Sequence, residues 1–141
     1  MIGNLSSDEI EDLLQSNILG RLACSNGNRN YIVPISYVYD GKFIIAHSME
    51  GLKIDMMRSN PDVCFEVDEI SNFRSWKSVI VRGQFQELKD ERERLYAMKL
   101  FLDKMIQLKI SQTAHPNEQH SLKPVVFRII PSEKTGRFEN E

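Results

Sequence analysis

At 141 residues the chain is long enough for one domain with a real core, yet short for one that must enclose a large ligand unaided, so help from a second subunit is expected. A net charge of −2 with acids and bases interspersed excludes the basic stripe of a nucleic-acid surface, and no apolar run is long enough to span a membrane. Met1 to Leu5 lacks the charged and apolar regions of a signal peptide, so a cytoplasmic location is expected.

The first element announced by the residues is a short helix. Ser6 and Glu9 have the spacing of a capping box, and Ile10, Leu13 and Leu14 then line one face. Ile18 to Cys24 reads as a strand, separated by Ser25-Asn26-Gly27-Asn28, which is turn chemistry, from the strongly β stretch Tyr31 to Tyr39. Asp40-Gly41 is the preferred pair for a tight hairpin turn and leads into Lys42 to His47. A helix follows through Ile54, Met57 and Arg58, stopped by Asn60-Pro61, and Asp62 to Asp68 is the next strand. Trp76 to Leu88 is the longest strand, with Val79, Val81 and Phe85 on one face and Trp76, Ser78, Ile80 and Arg82 on the other; Gly83 suggests a bulge or bend. Asp90 and Glu93 offer a second capping box for a helix whose stripe of Leu95, Met98, Leu102 and Met105 is expected to face the core. Residues 112–121 read as a polar loop, and Val125 to Ile130 as a sixth strand ended by Pro131. Strands in near-succession with hairpin-type links predict a single domain over 1–141, mainly β with a few helices, folded as a six-stranded antiparallel barrel rather than a parallel α/β sheet.

The segment His47-Ser48-Met49-Glu50-Gly51-Leu52-Lys53 carries the strongest chemical signal, because it runs from a strand through a glycine into a helix start. Free backbone N–H groups and the positive end of the helix dipole gather there, so an anion is welcome. Lys53 in that first turn would cost a few tenths up to roughly 1 kcal/mol unopposed, and a bound phosphate would reverse the sign. The plain alternative is a solvated lysine that points away. Pro34 interrupts the most β-rich stretch and belongs on an edge or at a bulge, where neighbouring peptide groups are free for a flat heteroaromatic ring or simply resist aggregation. His115 and His120 lie in a loop without acids or thiols at ligand-like spacing, so no metal site is expected, and Cys24 and Cys64 read as free thiols. The serine elbow, the dinucleotide glycine fingerprint and the phosphate-loop motif are all absent.

Gly20-Arg21-Leu22-Ala23, then Val33-Pro34-Ile35-Ser36-Tyr37, then His47-Ser48-x-x-Gly51-x-Lys53, then Asn60-Pro61-x-Val63-Cys64-Phe65 and Trp76-x-Ser78-Val79 occur in the order and kind found in pyridoxamine 5′-phosphate oxidase-like proteins, the FMN-binding split barrels. The chain most resembles their small branch that includes the nitroimidazole-resistance proteins, well over residues 8 to 90 and weakly in the C-terminal third. The resemblance implies a homodimer with FMN lodged between subunits. Val33, Pro34, Ile35, Ser36 and Tyr37 would lie along the flavin ring and ribityl chain, Ala46, His47 and Ser48 would approach the ribityl and phosphate, and Gly51 and Lys53 would hold the phosphate. Ser78, with Trp76 nearby, would come close to the ring or its chain.

The implied activity is an oxidoreductase that passes electrons from a reduced nicotinamide to a small acceptor such as a nitroaromatic or quinone. A flavin supplies the chemistry and the protein supplies binding and orientation, so no acid–base dyad is required. His47 is the one side chain with a titration range suited to proton donation. True pyridoxamine phosphate oxidases carry an arginine just before the lysine and an Arg-Leu-x-Pro type segment near the end. Here Leu52 replaces the arginine and the chain reads Arg128-Ile129-Ile130-Pro131, which disfavours a vitamin B6 oxidase. A flavin-storage module that turns nothing over is the alternative outside enzymology.

Overall fold

The computed structural model describes residues 1–108 and 123–141. Its elements are β1 (Ile2–Asn4), α1 (Ser7–Ser16), β2 (Leu19–Asn26), β3 (Arg29–Tyr39), β4 (Ile44–Ser48), α2 (Leu52–Ser59), β5 (Asp62–Asn72), β6 (Ser75–Glu87), α3 (Glu91–Gln107) and β7 (Val125–Glu139). The strands form one sheet in the order β1-β7-β4-β3-β2-β5-β6, and pairing of β6 with β7 closes it into a barrel. Every pairing is antiparallel. Closure removes most of the edge that an open sheet of this size would present, although β4 pairs with β3 only at Tyr37 to Tyr39.

Local chemistry accounts for most of the boundaries. The Ser6 hydroxyl accepts from the Glu9 N–H while the Glu9 carboxylate accepts from the Ser6 N–H, so both halves of the first capping box form. Gly27, at φ 63°, and Asn28 make a two-residue turn between Asn26 and its partner Arg29. The Asp40 carboxylate accepts from the N–H groups of Lys42 and Phe43, which holds both in the turn and delays β4 to Ile44.

Four expectations need correction. The sheet has seven strands rather than six, because Ile2–Asn4 pairs with the end of β7 through Ile2↔Glu139, Gly3↔Phe138 and Asn4↔Arg137. Pro131 does not end the last strand. It pairs with Gly83 at a register shift, after which Arg82 pairs with Glu133, so the irregularity expected at Gly83 takes the form of an extra residue, Ser132, on the opposite strand, and β7 continues to Glu139. The close approach of the two strands there leaves no room for a side chain at Gly83, where a Cβ would strike the Ile130 carbonyl. Third, the α3 stripe is not the core face: Leu95 and Leu102 are exposed, Met98 borders on exposed, and Ala97 and Phe101 are the buried positions. Asp90 caps α3 without a side-chain hydrogen bond, so the second capping box does not form. The 112–121 loop, with His115 and His120, lies outside the described residues.

The main core fills the barrel with Leu22, Phe65, Val67, Val79, Val81 and Phe127, closed by Leu13 and Leu14 of α1 and by Ile54 and Met57 of α2. A second, smaller core lies on the outer side of the sheet, where Ala97 and Phe101 of α3 meet Val38, Ile45 and Val126.

Candidate functional site

The geometry of the site follows from where two strands part. β3 and β4 pair only through Tyr37↔Ala46, Val38↔Ile45 and Tyr39↔Ile44, whereas β3 pairs with β2 back to Arg29. From Arg29 to Ser36, β3 therefore has a partner along one edge only, and Pro34 sits in this stretch, where a residue without an N–H is tolerated. His47 and Ser48 diverge from β3 on the other side of the opening and lead through Gly51 into α2.

The α2 start is uncapped. Its first helical bond runs from the Asp55 N–H to the Gly51 carbonyl at 3.1 Å, and no side chain caps the preceding N–H groups. Gly51 has an extended φ of 171°, and a Cβ there would meet nothing within 4 Å, so space is open in front of these donors. Two cations of α2 differ sharply. Arg58 is saturated, with Glu50 at 2.7 and 3.0 Å and Glu87 at 2.9 and 3.0 Å. Lys53, half-buried in the first turn, is absent from the ion pairs formed among the described residues. The arrangement of uncapped donors, open space and a lysine without a carboxylate suits a phosphate.

The remaining anticipated residues divide by direction. The side chains of Ile35, Tyr37 and Ala46 turn into the core; the Tyr37 hydroxyl donates to the Leu14 carbonyl at 2.8 Å and its ring stands edge-on to Phe65. Burial pushes the Tyr37 phenol far up, so it is neutral at any working pH. These three have only peptide groups to offer a ligand. Val33 is half-buried, while Pro34 and Ser36 are exposed on the outer side. The His47 ring packs edge-on to Phe101 at 4.7 Å while the residue keeps an open side, and this packing lowers its pKa by desolvation. Ser48 donates to the Met49 carbonyl at 3.1 Å.

Trp76 and Ser78 are not brought to this group within one chain. They stand on β6, and β2 and β5 lie between β6 and β3, a separation of about 14 Å at the usual strand spacing. The Trp76 indole N–H donates to Glu139 at 3.1 Å, and the Ser78 hydroxyl donates to Glu66 at 2.8 Å. Glu66 was not marked by any motif. Its pKa is raised, first by burial and then by neighbouring Asp68, despite Ser78 and Arg21, and its second carboxylate oxygen is buried without a hydrogen-bond partner among the described residues. Only the outward phase of the alternation around Phe65 and Val67 could have signalled it.

The register aligns these outward residues in rows. Ile32, Ala23, Cys64, Arg82 and Glu133 pair across successive strands, and the next row runs Pro34, Arg21, Glu66, Ile80 and Thr135. A cavity of about 540 Å³ opens against the first row. None of the anticipated site residues lines it.

Comparison with known proteins agrees with this architecture. A model of the pyridoxamine 5′-phosphate oxidase family matches residues 6–138. The crystal structure of an FAD-binding protein from Mesorhizobium loti is similar with a TM-score of 0.79 and 33% identity, covering 99% of each chain. That of the FAD binding protein from Mycobacterium smegmatis gives a TM-score of 0.73 and 30% identity over 99% of this chain and 100% of that one. A candidate 5-nitroimidazole antibiotic resistance protein of Bacteroides thetaiotaomicron shares the fold, with a TM-score of 0.75 and 18% identity over 98% of this chain and 87% of that one. An uncharacterized protein of Rhizobium meliloti is 44% identical over 84 residues, a match spanning 60% of this chain and 56% of the relative's length. No described helix is long and apolar enough to cross a membrane.

Proposed function

The chain belongs to the pyridoxamine 5′-phosphate oxidase family, and from that premise we propose that it is a flavin-binding oxidoreductase whose ligand phosphate rests on Lys53 and the start of α2. The observation that carries this reading is the uncapped start of α2, with a lysine in its first turn that forms no ion pair among the described residues, beside a strand edge left open by β4. FMN and FAD both carry the required phosphate, and two relatives are FAD-binding proteins. A bound flavin supplies two-electron transfer between a nicotinamide and an acceptor. The protein's part is to hold the phosphate, to present the peptide groups of Val33 to Tyr37 to the flat ring, and to keep a proton-bearing imidazole at His47 near the opening.

The distance between Ser78 and the β3 edge supports a site completed by a second copy, with Trp76 and Ser78 of one subunit meeting the β3–α2 opening of the other. Leu19, Ile32 and Ile80 are exposed apolar side chains on the face that such a partner would cover. Leu52 in place of an arginine favours a nitroaromatic or quinone acceptor over pyridoxamine 5′-phosphate, since a lost charged contact is worth about 1.5–3 kcal/mol.

Titration with FMN and riboflavin tests the phosphate site. FMN is expected to bind more tightly, and Lys53→Ala to weaken FMN by about 1.5–3 kcal/mol while leaving riboflavin unchanged. Equal affinity for the two ligands in the unaltered protein removes the phosphate site. The loaded protein should oxidise reduced nicotinamide with a quinone or nitroaromatic as acceptor faster than it produces pyridoxal 5′-phosphate; the opposite ranking restores the vitamin B6 oxidase.

A further inference from the structure

We propose that Glu66 is the positioning residue for Ser78: it holds the Ser78 hydroxyl proton in a hydrogen bond, so that Ser78 meets the flavin ring as an acceptor, opposite the N3–H of the ring. The inference rests on the flavin reading above, in which Ser78 of one subunit reaches the β3–α2 opening of the other.

The two side chains that β6 offers to a partner are each held by a carboxylate. The Trp76 indole donates to Glu139 at 3.1 Å, and the Ser78 hydroxyl donates to Glu66 at 2.8 Å. An indole N–H is a donor only, so Glu139 does no more than orient it. A hydroxyl has one proton and two lone pairs, and its partner decides which of them is left for a ligand. An ionised carboxylate accepts and cannot donate, which leaves Ser78 with acceptor capacity alone. Asp68 stands directly across from Ser78 in the strand register and, when ionised, would likewise accept. Both acids of β5 therefore turn the hydroxyl the same way.

Glu66 keeps that proton when a ligand arrives. Its other oxygen is buried without a hydrogen-bond partner, and Arg21 stands 3.7 Å from it while lying closer, at 3.3 Å, to Asp68. Ser78 is thus the one hydrogen-bond donor to the Glu66 side chain among the described residues. A hydrogen bond to a charged acceptor is roughly twice as strong as one between neutral groups, so the hydroxyl stays on Glu66 rather than turning to a ring carbonyl. Among the nitrogens and oxygens of the oxidised flavin ring only N3 bears a hydrogen, which makes it the position that an acceptor hydroxyl can pair.

Protonation of Glu66 ends this arrangement. The groups around it are Asp68 on its own strand, Arg21 on β2, and Ser78 and Arg82 on β6, with the uncharged Pro34 and Thr135 in its row and Arg137 of β7 beside Ser78. Burial first, and Asp68 next, hold its pKa above the usual carboxylate value against Ser78 and Arg21. As pH falls through that raised value the carboxylic acid can itself donate to Ser78, whose own proton is then free to point at the ring.

Fluorescence titration of the full chain with FMN and with FMN methylated at N3 tests the assignment. The unaltered protein should prefer FMN by about fivefold at neutral pH, the size of one hydrogen bond, and the preference should shrink as pH falls through the Glu66 titration. Glu66→Val, which suits an outward strand position but cannot accept, should cut the preference to about twofold or less. Glu66→Gln should keep it, because an amide oxygen still accepts from Ser78, and should make it independent of pH. An equal preference in Glu66→Val and the unaltered protein overturns the proposal and leaves the flavin reading standing, whereas no binding of either flavin removes both. A second readout needs no ligand. The carboxyl carbon signal of Glu66 in isotope-labelled protein should titrate with a higher midpoint in Ser78→Ala, where the anion has lost its donor; an unchanged midpoint removes the hydrogen bond and the proposal with it.

Discussion

The outer side of the barrel is built twice from the same alternating strands, with opposite outcomes. Where β4 and the start of β7 run, the outward residues are Ile45 and Val126, and α3 covers them with Ala97 and Phe101. Where β2, β5 and β6 run, the outward rows are Arg21, Glu66, Asp68, Ser78 and Arg82, with only scattered apolar side chains, and no described helix lies over them. The covered half is a small core in its own right. The bare half is a patterned surface of charges with a cavity and with a Glu66 carboxylate oxygen that lies 3.7 Å from Arg21 but has no hydrogen-bond partner among the described residues.

The largest effect should come from the covered half. Phe101→Ala removes the anchor of α3 and should lower unfolding free energy by about 3–5 kcal/mol, measured by denaturant titration. A loss under about 1 kcal/mol would mean that α3 contributes little to the covering. On the bare half the same kind of intrusion should leave the fold alone. Ile80→Arg is expected to change stability by about 0.5 kcal/mol or less, as usual for surface sites, yet to shift light scattering from dimer to monomer; a dimer that persists locates the interface elsewhere.

The smallest effect concerns the boundary between the halves, at His47. Its folded pKa lies below the ordinary 6.5 because packing against Phe101 disfavours the cation. The unfolded chain therefore binds the proton first. This contribution to stability is full above pH 6.5 and is lost as pH falls from there through the folded value. Replacing His47 with Gln should flatten that part of the pH–stability curve, and an unchanged slope would assign it to other groups.

Much of this was legible in the residues themselves. The capping box at Ser6 and Glu9, the Gly27-Asn28 turn and the uncapped entry to α2 are decided by neighbours a few positions apart, so local chemistry is enough to read them. The direction of α3 was not legible: Leu95, Met98 and Leu102 recur at helical spacing just as a core face would, while the buried positions, Ala97 and Phe101, include a residue too small to announce itself. The continuation of β7 past Pro131 was hidden for a different reason, since the register shift that follows the proline leaves Ser132 unpaired and depends on Gly83, far away in the chain, standing opposite.

The sequence alone determined the antiparallel barrel, the glycine turn into α2 and the family, because alternation, turn chemistry and ordered motifs are properties of short segments. Tertiary structure decided which outward rows stay bare, that Trp76 and Ser78 stand about 14 Å from the β3 edge, and that a cavity forms between Ile32 and Arg82. These depend on strand order and register, and residues become neighbours there through hydrogen bonds between strands that no local pattern specifies.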